Sequence, residues 1–208
     1  MRCIAKASDS KEEFLMANTR KMSTENMVMG AILTALVIVL QVIGGFVKVG
    51  PCNLALALIP IIIGGAVCSP KIGAWLGFVC GMTILLSGQA ALFIGFNFVG
   101  AVITTLVKGT LCGYFSGLVY KLLENKNRTV AAVSSAIVCP VVNTGVFFIG
   151  CFVFFVKDLA QMAVEMGFGD NLIYFMFVGL AGVNFLFEFF TSVIFSSVIV
   201  RLIAIRKK

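Results

Sequence analysis

Histidine is absent from the chain, and charged residues make up only 12% of its 208 positions. Without histidine, neither a Ser-His-Asp triad nor a Cys-His pair can form, and the most common metal ligand is missing. No predicted span contains a pair of carboxylates that could divide the roles of general acid and general base. These absences argue against an enzyme.

Seven cysteines are present, but their number is odd and no Cys-x-x-Cys pair occurs. Most of them fall inside apolar stretches, at Cys68, Cys80, Cys112, Cys139 and Cys151. This distribution argues against a disulfide framework and against a typical zinc site. Buried cysteine commonly behaves as a small apolar side chain, so we expect these residues to serve packing.

Apolar residues are present in excess: 60% of positions are hydrophobic, and the mean hydropathy is +1.08. Such a chain lacks the polar surface that a soluble domain of this size needs, so we predict an all-α integral membrane protein. A net charge of +7 would suggest nucleic acid as the partner of a soluble chain. In a membrane protein the placement of the charges matters more, and we expect a lipid bilayer and no nucleic acid as partner.

Six apolar stretches predict six transmembrane helices, at residues 27–46, 54–68, 72–87, 97–122, 130–156 and 172–200. The second and third are short and are predicted to form a helical hairpin. Residues 88–96 are predicted to form an interfacial loop that can lie over a pocket, and residues 157–171 to form an amphipathic lid. The predicted organisation is a cytosolic N-terminal tail (1–26), a six-helix membrane domain (27–203) and a basic cytosolic C-terminal tail (204–208).

Lysine and arginine are distributed unevenly along the chain. Of the 16 such residues, only Lys48 and Lys157 fall in predicted outer loops, and Lys108 lies inside a span. The others lie in the two tails and in the predicted inner turns. Because cytoplasmic segments of membrane proteins carry an excess of Lys and Arg, this asymmetry predicts that both termini are cytoplasmic.

Two charges lie near the middle of predicted spans, Lys108 in the fourth and Glu188 in the sixth. A charge at the centre of a membrane helix costs roughly 2.5–3.5 kcal/mol on insertion scales, so such residues usually face a partner or a wet cavity. We predict that these two helices lie side by side around a ligand, with a substrate-binding set of Asn97, Lys108, Asn143, Thr144, Asn184 and Glu188. In an alternative interpretation, the two charges form an ion pair that only fixes two helices, and the uncharged residues form interhelical hydrogen bonds.

Small residues recur at helical spacing in the first span, where Ala31 and Ala35 form an Ala-x-x-x-Ala notch. Small residues four apart let a second helix approach closely. The notch therefore predicts either contact with another subunit or packing within the chain.

Four pieces of sequence, in this order, resemble one family: AILTA in the first span, LIPIIIGGAVCSPKIGAWLGFVCG across the second and third, VKGTLCGYFSGLVYKLL in the fourth, and VNT with GVNFLFE in the fifth and sixth. They resemble the substrate-binding S components of energy-coupling factor (ECF) vitamin transporters. The resemblance implies a multi-pass protein of the bacterial cell membrane. Such a protein captures a vitamin from outside and delivers it inward with a transmembrane scaffold subunit and two ATPase subunits. It also implies that Ala31 and Ala35 face the scaffold.

Within that family the chain most resembles the pantothenate-type branch, with folate, riboflavin and pyridoxine carriers as near relatives. It has Lys108 where the fourth helix of the family often has arginine, and lysine makes a point contact rather than a planar fork. No Gly-x4-Gly-Lys-[Ser/Thr] motif occurs, so we expect no cofactor on this chain and ATP hydrolysis by the partner subunits. The alternative hypothesis is a self-sufficient secondary transporter or channel, which is expected to show internal repeats or a chain of titratable groups.

Overall fold

The computed structural model describes residues 24–46, 48–49, 52–53, 56–169, 171–180 and 185–196. Helices account for almost all of them, so the prediction of an all-α protein is confirmed. Its elements are α1 (Thr24–Phe46), β1 (Lys48–Val49), β2 (Cys52–Asn53), α2 (Leu58–Val67), α3 (Pro70–Leu86), α4 (Ala91–Phe96), α5 (Phe98–Leu123), α6 (Arg128–Phe154), α7 (Val156–Glu165), α8 (Leu172–Leu180) and α9 (Phe185–Ser196). The strands β1 and β2 pair antiparallel and connect α1 to α2.

Three of the described helices, α1, α5 and α6, are long and apolar enough to cross a membrane, with 23, 26 and 27 residues. At a rise of about 1.5 Å per residue, each reaches the roughly 30 Å thickness of the hydrocarbon core. The pair α8 and α9 meets the same criterion when counted as one bent span. The described part of the chain thus contains three to four candidate spans, fewer than the six predicted.

The predicted second span is shorter than expected. Helix α2 covers only Leu58–Val67, which is 10 residues, and residues 56–57 form a turn before it. A helix of that length extends only about 15 Å, half of a bilayer core. Helix α3 is longer, at 17 residues. The predicted helical hairpin is therefore present, but its first helix is too short to span a bilayer by itself.

The predicted sixth span is not one straight helix. Helix α8 begins in the α conformation at Leu172–Tyr174 and continues as a π-helix over Phe175–Leu180. Helix α9 is inclined to it by 44°. The prediction of a continuous helix is corrected to a bent pair, and Glu188 lies in its second half.

Capping residues set where two of the long helices begin. Ser69 precedes α3, and its Oγ accepts a hydrogen bond from the Ile72 amide at 3.3 Å, with Pro70 at the first helical position. Asn127 precedes α6, and its Oδ1 accepts from the Thr129 amide at 2.9 Å. Such acceptors satisfy amides that have no partner at a helix start, and proline there loses no hydrogen bond.

Glycines bring α3 and α5 together backbone against backbone. Both helices carry a glycine at every fourth position of the shared face: Gly73, Gly77 and Gly81 on α3, and Gly109, Gly113 and Gly117 on α5. A Cβ atom added at Gly73 would lie 2.5 Å from the Gly113 carbonyl oxygen, and one added at Gly81 would lie 2.9 Å from the Thr105 carbonyl oxygen. Membrane helices commonly associate through small residues in this way. The close contact fixes α5 relative to the hairpin.

Helix α6 packs along the other side of α5 and is tied to it by a pair of buried serines. The Oγ atoms of Ser116 and Ser135 lie 2.8 Å apart, and Ser135 Oγ also donates to the Ser116 carbonyl at 2.9 Å. The predicted amphipathic segment after α6 forms α7, which buries Leu159 and Ala163 and exposes Gln161. Its position in a membrane interface stays a prediction.

Candidate functional site

A cavity of about 100 Å³ lies among α1, α2, α3, α5, α6 and α9, and the turn before α4 covers part of it. It is bordered by both apolar clusters of the core. Ile61 and Cys112 belong to the cluster around α1, α2, α3, α5 and α6, whereas Ala101 and Phe155 belong to the cluster around α7 and α8. The cavity therefore lies where the two halves of the apolar core meet.

One cation and one carboxylate line this cavity. Lys108, on α5, places its Nζ 5.1 Å from the centroid of the Phe147 ring on α6. Glu188, on α9, is 4% exposed, and its Oε2 accepts a hydrogen bond from Asn143 Nδ2 at 3.2 Å. A buried carboxylate needs such donors because desolvation disfavours its charge. The two charges thus have different recorded partners, and no ion pair joins Lys108 to a carboxylate of a described residue.

Four of the six predicted substrate-binding residues lie together in the cavity wall: Lys108, Asn143, Thr144 and Glu188. Asn184 lies outside the described residues. Asn97 is not brought to the cavity. It is exposed and extended, with φ −152° and ψ 107°, and its Oδ1 accepts a hydrogen bond from the Gly100 amide at 3.0 Å. Asn97 is therefore the N-cap of α5, one residue outside the helix on whose face it was predicted to lie.

Two glutamines that were not predicted as site residues also line the cavity. Gln41 on α1 donates from Nε2 to Gln89 Oε1 at 2.8 Å, and Gln89 Nε2 donates to the Gln41 carbonyl at 3.1 Å. Cys80 Sγ donates to Gln41 Oε1 at 3.3 Å. Gln41 interrupts a long apolar run, and an isolated polar residue in such a run is a functional indication that could have identified it. The Gln41–Gln89 hydrogen bonds join the turn before α4 to α1.

A third residue not predicted for the site is Thr104, which lies on α5 one turn before Lys108 and lines the cavity. It is 5% exposed, and no described residue forms a hydrogen bond with its Oγ1. Thr104 and Lys108 are four residues apart and therefore share one helical face, but nothing in the sequence indicates that the Thr104 hydroxyl lacks an intrahelical partner.

Aromatic rings form the apolar part of the wall. Phe93 on α4 meets Phe147 edge to face at 5.4 Å between centroids and Phe155 at 5.3 Å. These contacts join the predicted loop of residues 88–96 to α6 and to the residue before α7. Residues 91–96 form α4 rather than the predicted loop, but Gln89 and Phe93 line the cavity, so the segment lies against the pocket as predicted.

The described residues hold no group of three or more His, Cys, Asp or Glu side chains that could bind a metal ion. The chemistry that the cavity offers is recognition of a small solute, through one cation, one hydrogen-bonded carboxylate, hydroxyl groups and a ring surface.

The Ala31–Ala35 notch lies on the outer surface of α1. Both alanines are exposed, whereas Leu33 and Val37 on the opposite face are buried in the core. The notch is therefore not occupied by another described helix of this chain. Many large apolar side chains share this outer surface, including Ile32, which is 61% exposed.

These features define a helical membrane protein that contains a small cavity suited to binding a solute. The family model of the ECF transporter substrate-specific component matches residues 25–204. The chain belongs to this family, whose members are substrate-binding subunits of transporters and not enzymes. No curated protein and no solved structure matches the chain significantly.

Proposed function

We propose that this protein captures a water-soluble vitamin from outside the cell and delivers it inward together with a transmembrane scaffold subunit and two ATPase subunits. Pantothenate is the favoured vitamin, and folate, riboflavin and pyridoxine are the alternatives. The observation that carries the proposal is the cavity whose wall contains Lys108 and the hydrogen-bonded Asn143–Glu188 pair, on three helices of a family member.

Pantothenate matches the chemistry of this cavity. Its carboxylate suits the ammonium group of Lys108, since a charge-assisted hydrogen bond is roughly twice as strong as a neutral one. Its hydroxyl and amide groups suit Asn143, Thr144 and Glu188, and its methyl groups suit the Phe93–Phe147 ring surface. Asn184 stays a predicted member of the same set.

The proposed topology has six membrane passes with both termini cytoplasmic in a bacterial cell membrane. In this arrangement α2 belongs to the second pass and α3 to the third, and α8 and α9 together form the sixth. The uneven distribution of Lys and Arg supports the orientation. The exposed Ala31–Ala35 notch is the proposed contact with the scaffold. We propose that the chain binds no cofactor and that the partner subunits hydrolyse ATP.

A thermal-shift panel on the purified chain tests this function. Pantothenate, folate, riboflavin and pyridoxine are added separately, and the melting temperature is followed. We expect one vitamin to raise it in a saturable way, because a ligand that binds only the folded protein stabilises it in proportion to RT ln(1 + [L]/Kd). If none of the four binds better than millimolar, vitamin capture is refuted.

Uptake measurements separate this proposal from a self-sufficient secondary transporter or channel. We expect vitamin uptake in cells to need the scaffold and ATPase subunits and to stop when cellular ATP is depleted while the membrane potential is maintained. Uptake that continues in cells lacking those subunits would favour the secondary transporter.

A further inference from the structure

The hydroxyl group of Thr104 is buried in the cavity wall without a hydrogen-bond partner among the described residues. Thr110, on the same helix, provides the contrast, because its hydroxyl donates to the Leu106 carbonyl at 2.7 Å. An unsatisfied buried hydroxyl carries its full desolvation penalty, and such groups are uncommon in native proteins. A partner for the Thr104 hydroxyl is therefore expected from outside the described chain.

Lys108 lies four residues after Thr104. Residues four apart are neighbours on one helix face, and both of these line the cavity. In the described part of the chain, the contact recorded for the ammonium group is the Phe147 ring at 5.1 Å. A ring face leaves the three N–H groups of an ammonium able to donate to an acceptor. Thr104 and Lys108 thus place two kinds of donor side by side.

Four other polar side chains of the cavity wall bond to one another. Gln41 and Gln89 exchange two hydrogen bonds, and Asn143 donates to Glu188. Among the described residues that line the cavity, Thr104 carries the fully buried side-chain oxygen without a hydrogen-bond partner, and Lys108 carries the cationic donor. A group with two acceptor oxygens and a negative charge fits such a pair of donors best.

We infer that the Thr104 hydroxyl and the Lys108 ammonium together hold one carboxylate of the substrate, which makes the substrate a carboxylate-bearing solute and Thr104 a specificity-determining residue. This inference rests on the proposed function, because it concerns the ligand of the same cavity. The hydroxyl donates to one carboxylate oxygen and the ammonium donates to the other. Pantothenate and folate meet this requirement, whereas riboflavin and pyridoxine carry no carboxylate.

Gly150 on α6 makes room for this arrangement. A Cβ atom added there would lie 2.9 Å from Thr104 Cβ and would overlap its hydroxyl and methyl groups. The Thr104 side chain is thus packed directly against the α6 backbone, and Gly150→Ala should displace it without altering its chemistry.

The test is isothermal titration of the purified full chain with pantothenate, folate, riboflavin and pyridoxine, and with pantothenol, in which an alcohol replaces the pantothenate carboxylate. The variants are Thr104→Val, which removes the hydroxyl at nearly constant shape, and Thr104→Ser, which keeps it. Thr110→Val is the matched control on the same helix. Melting temperatures without ligand show whether each variant is folded.

We expect Thr104→Val to weaken pantothenate binding about 10-fold or more, as for a hydrogen bond to a charged group, and to weaken pantothenol binding less than about threefold. Thr104→Ser and Thr110→Val should stay within about threefold of the wild type, and Gly150→Ala should resemble Thr104→Val. If pantothenate proves not to bind, the same comparison is made with folate.

Three results would overturn the inference in distinguishable ways. If the wild type and a folded Thr104→Val bind a carboxylate vitamin with equal affinity, Thr104 does not contact the substrate, and vitamin capture is unaffected. If only riboflavin or pyridoxine binds, the substrate carries no carboxylate, and vitamin capture is again unaffected. A wild-type chain that binds none of the four overturns both the inference and the proposed function.

Discussion

At the scale of single residues, the two charges in the cavity have different surroundings. Lys108 lies over an aromatic ring, a contact worth about 2 kcal/mol when it is desolvated. Glu188 is held by an amide donor from a neighbouring helix. Because each charge has its own contact, removing one should not strand the other and should not cost the fold stability expected for a broken buried ion pair.

Lys108→Ala should therefore weaken vitamin binding without unfolding the protein. A charge-assisted hydrogen bond to the vitamin contributes roughly 1.5–3 kcal/mol, so the affinity should fall about 10- to 150-fold. The ligand-free variant should lose only the contact with the Phe147 ring, which is worth about 2 kcal/mol or less. If Lys108 served only as half of a structural pair, the variant would lose roughly 3–5 kcal/mol of stability, with or without vitamin.

The double variant Lys108→Met with Glu188→Met gives an independent check. It removes both charges and keeps the side-chain volumes similar, so the fold should remain stable under either interpretation. We expect it not to recover vitamin binding. Normal affinity in this variant would show that neither charge touches the ligand.

Asn97→Ala should behave in the opposite way. As the N-cap of α5, Asn97 satisfies the Gly100 amide, and loss of a cap costs about 1 kcal/mol. We expect a lower melting temperature and unchanged affinity, while Asn97→Ser, another good cap, should restore the stability. A large loss of affinity in a stable Asn97→Ala would return this residue to the binding set.

The sequence identified the charged members of the site better than the uncharged ones. Lys108 and Glu188 were recognisable because an ionisable residue in an apolar span requires a reason. The Asn97 prediction depended on where a helix begins, and a periodic pattern defines that poorly, since caps share the spacing of the residues that follow them. Gln41 could have been identified as an isolated polar residue in an apolar run, whereas the role of Thr104 depends on its packing against other helices.

At the scale of helices, the close approach of α3 and α5 depends on glycine. A methyl group added at Gly77 or Gly113 would overlap the backbone of the facing helix. Neither helix can relax this overlap by rotating a side chain, so the helices would have to separate. Since α5 carries Thr104 and Lys108, their separation would also disturb the cavity.

Gly77→Ala should destabilise the ligand-free protein by roughly 2 kcal/mol or more, the range seen for overpacked cores. The matched control is Gly145→Ala on α6, where an added Cβ meets nothing within 4 Å. Because alanine is the better helix former by about 1 kcal/mol, this control should be neutral or stabilising. Both are measured by unfolding in detergent micelles, and equal stability of the two variants would contradict the packing account.

The notch on α1 leads to a prediction about assembly. Ala31→Leu or Ala35→Leu should abolish vitamin uptake in cells and leave binding by the isolated protein intact, because a bulky side chain would hold the scaffold helix away. Ile32→Leu, at a position that is already large and exposed, is the control and should transport normally. Normal transport by both alanine variants would exclude α1 as the docking face.

At the scale of the whole molecule, composition was sufficient to predict a helical membrane protein, and the order of its segments was largely correct. The predicted and observed structures differ in the second and sixth spans, where the local backbone geometry decides how long and how straight a helix is. The second helix begins only after a turn at residues 56–57, and the last predicted span consists of two helices, α8 and α9, inclined by 44°. Hydropathy reports how apolar a segment is, and neither a turn nor a change of helix direction alters it appreciably.

The central claim is that the cavity itself binds one vitamin in the absence of any partner subunit. Equilibrium dialysis of labelled pantothenate, folate, riboflavin and pyridoxine, each against the purified chain, tests it most directly, together with Thr144→Phe, which places a ring in the cavity. Gly145→Phe adds the same bulk at the adjacent open position. We predict one site per chain in the wild type and in Gly145→Phe, and none in Thr144→Phe. Equal binding by Thr144→Phe and the wild type, or no binding by the wild type, would contradict the account.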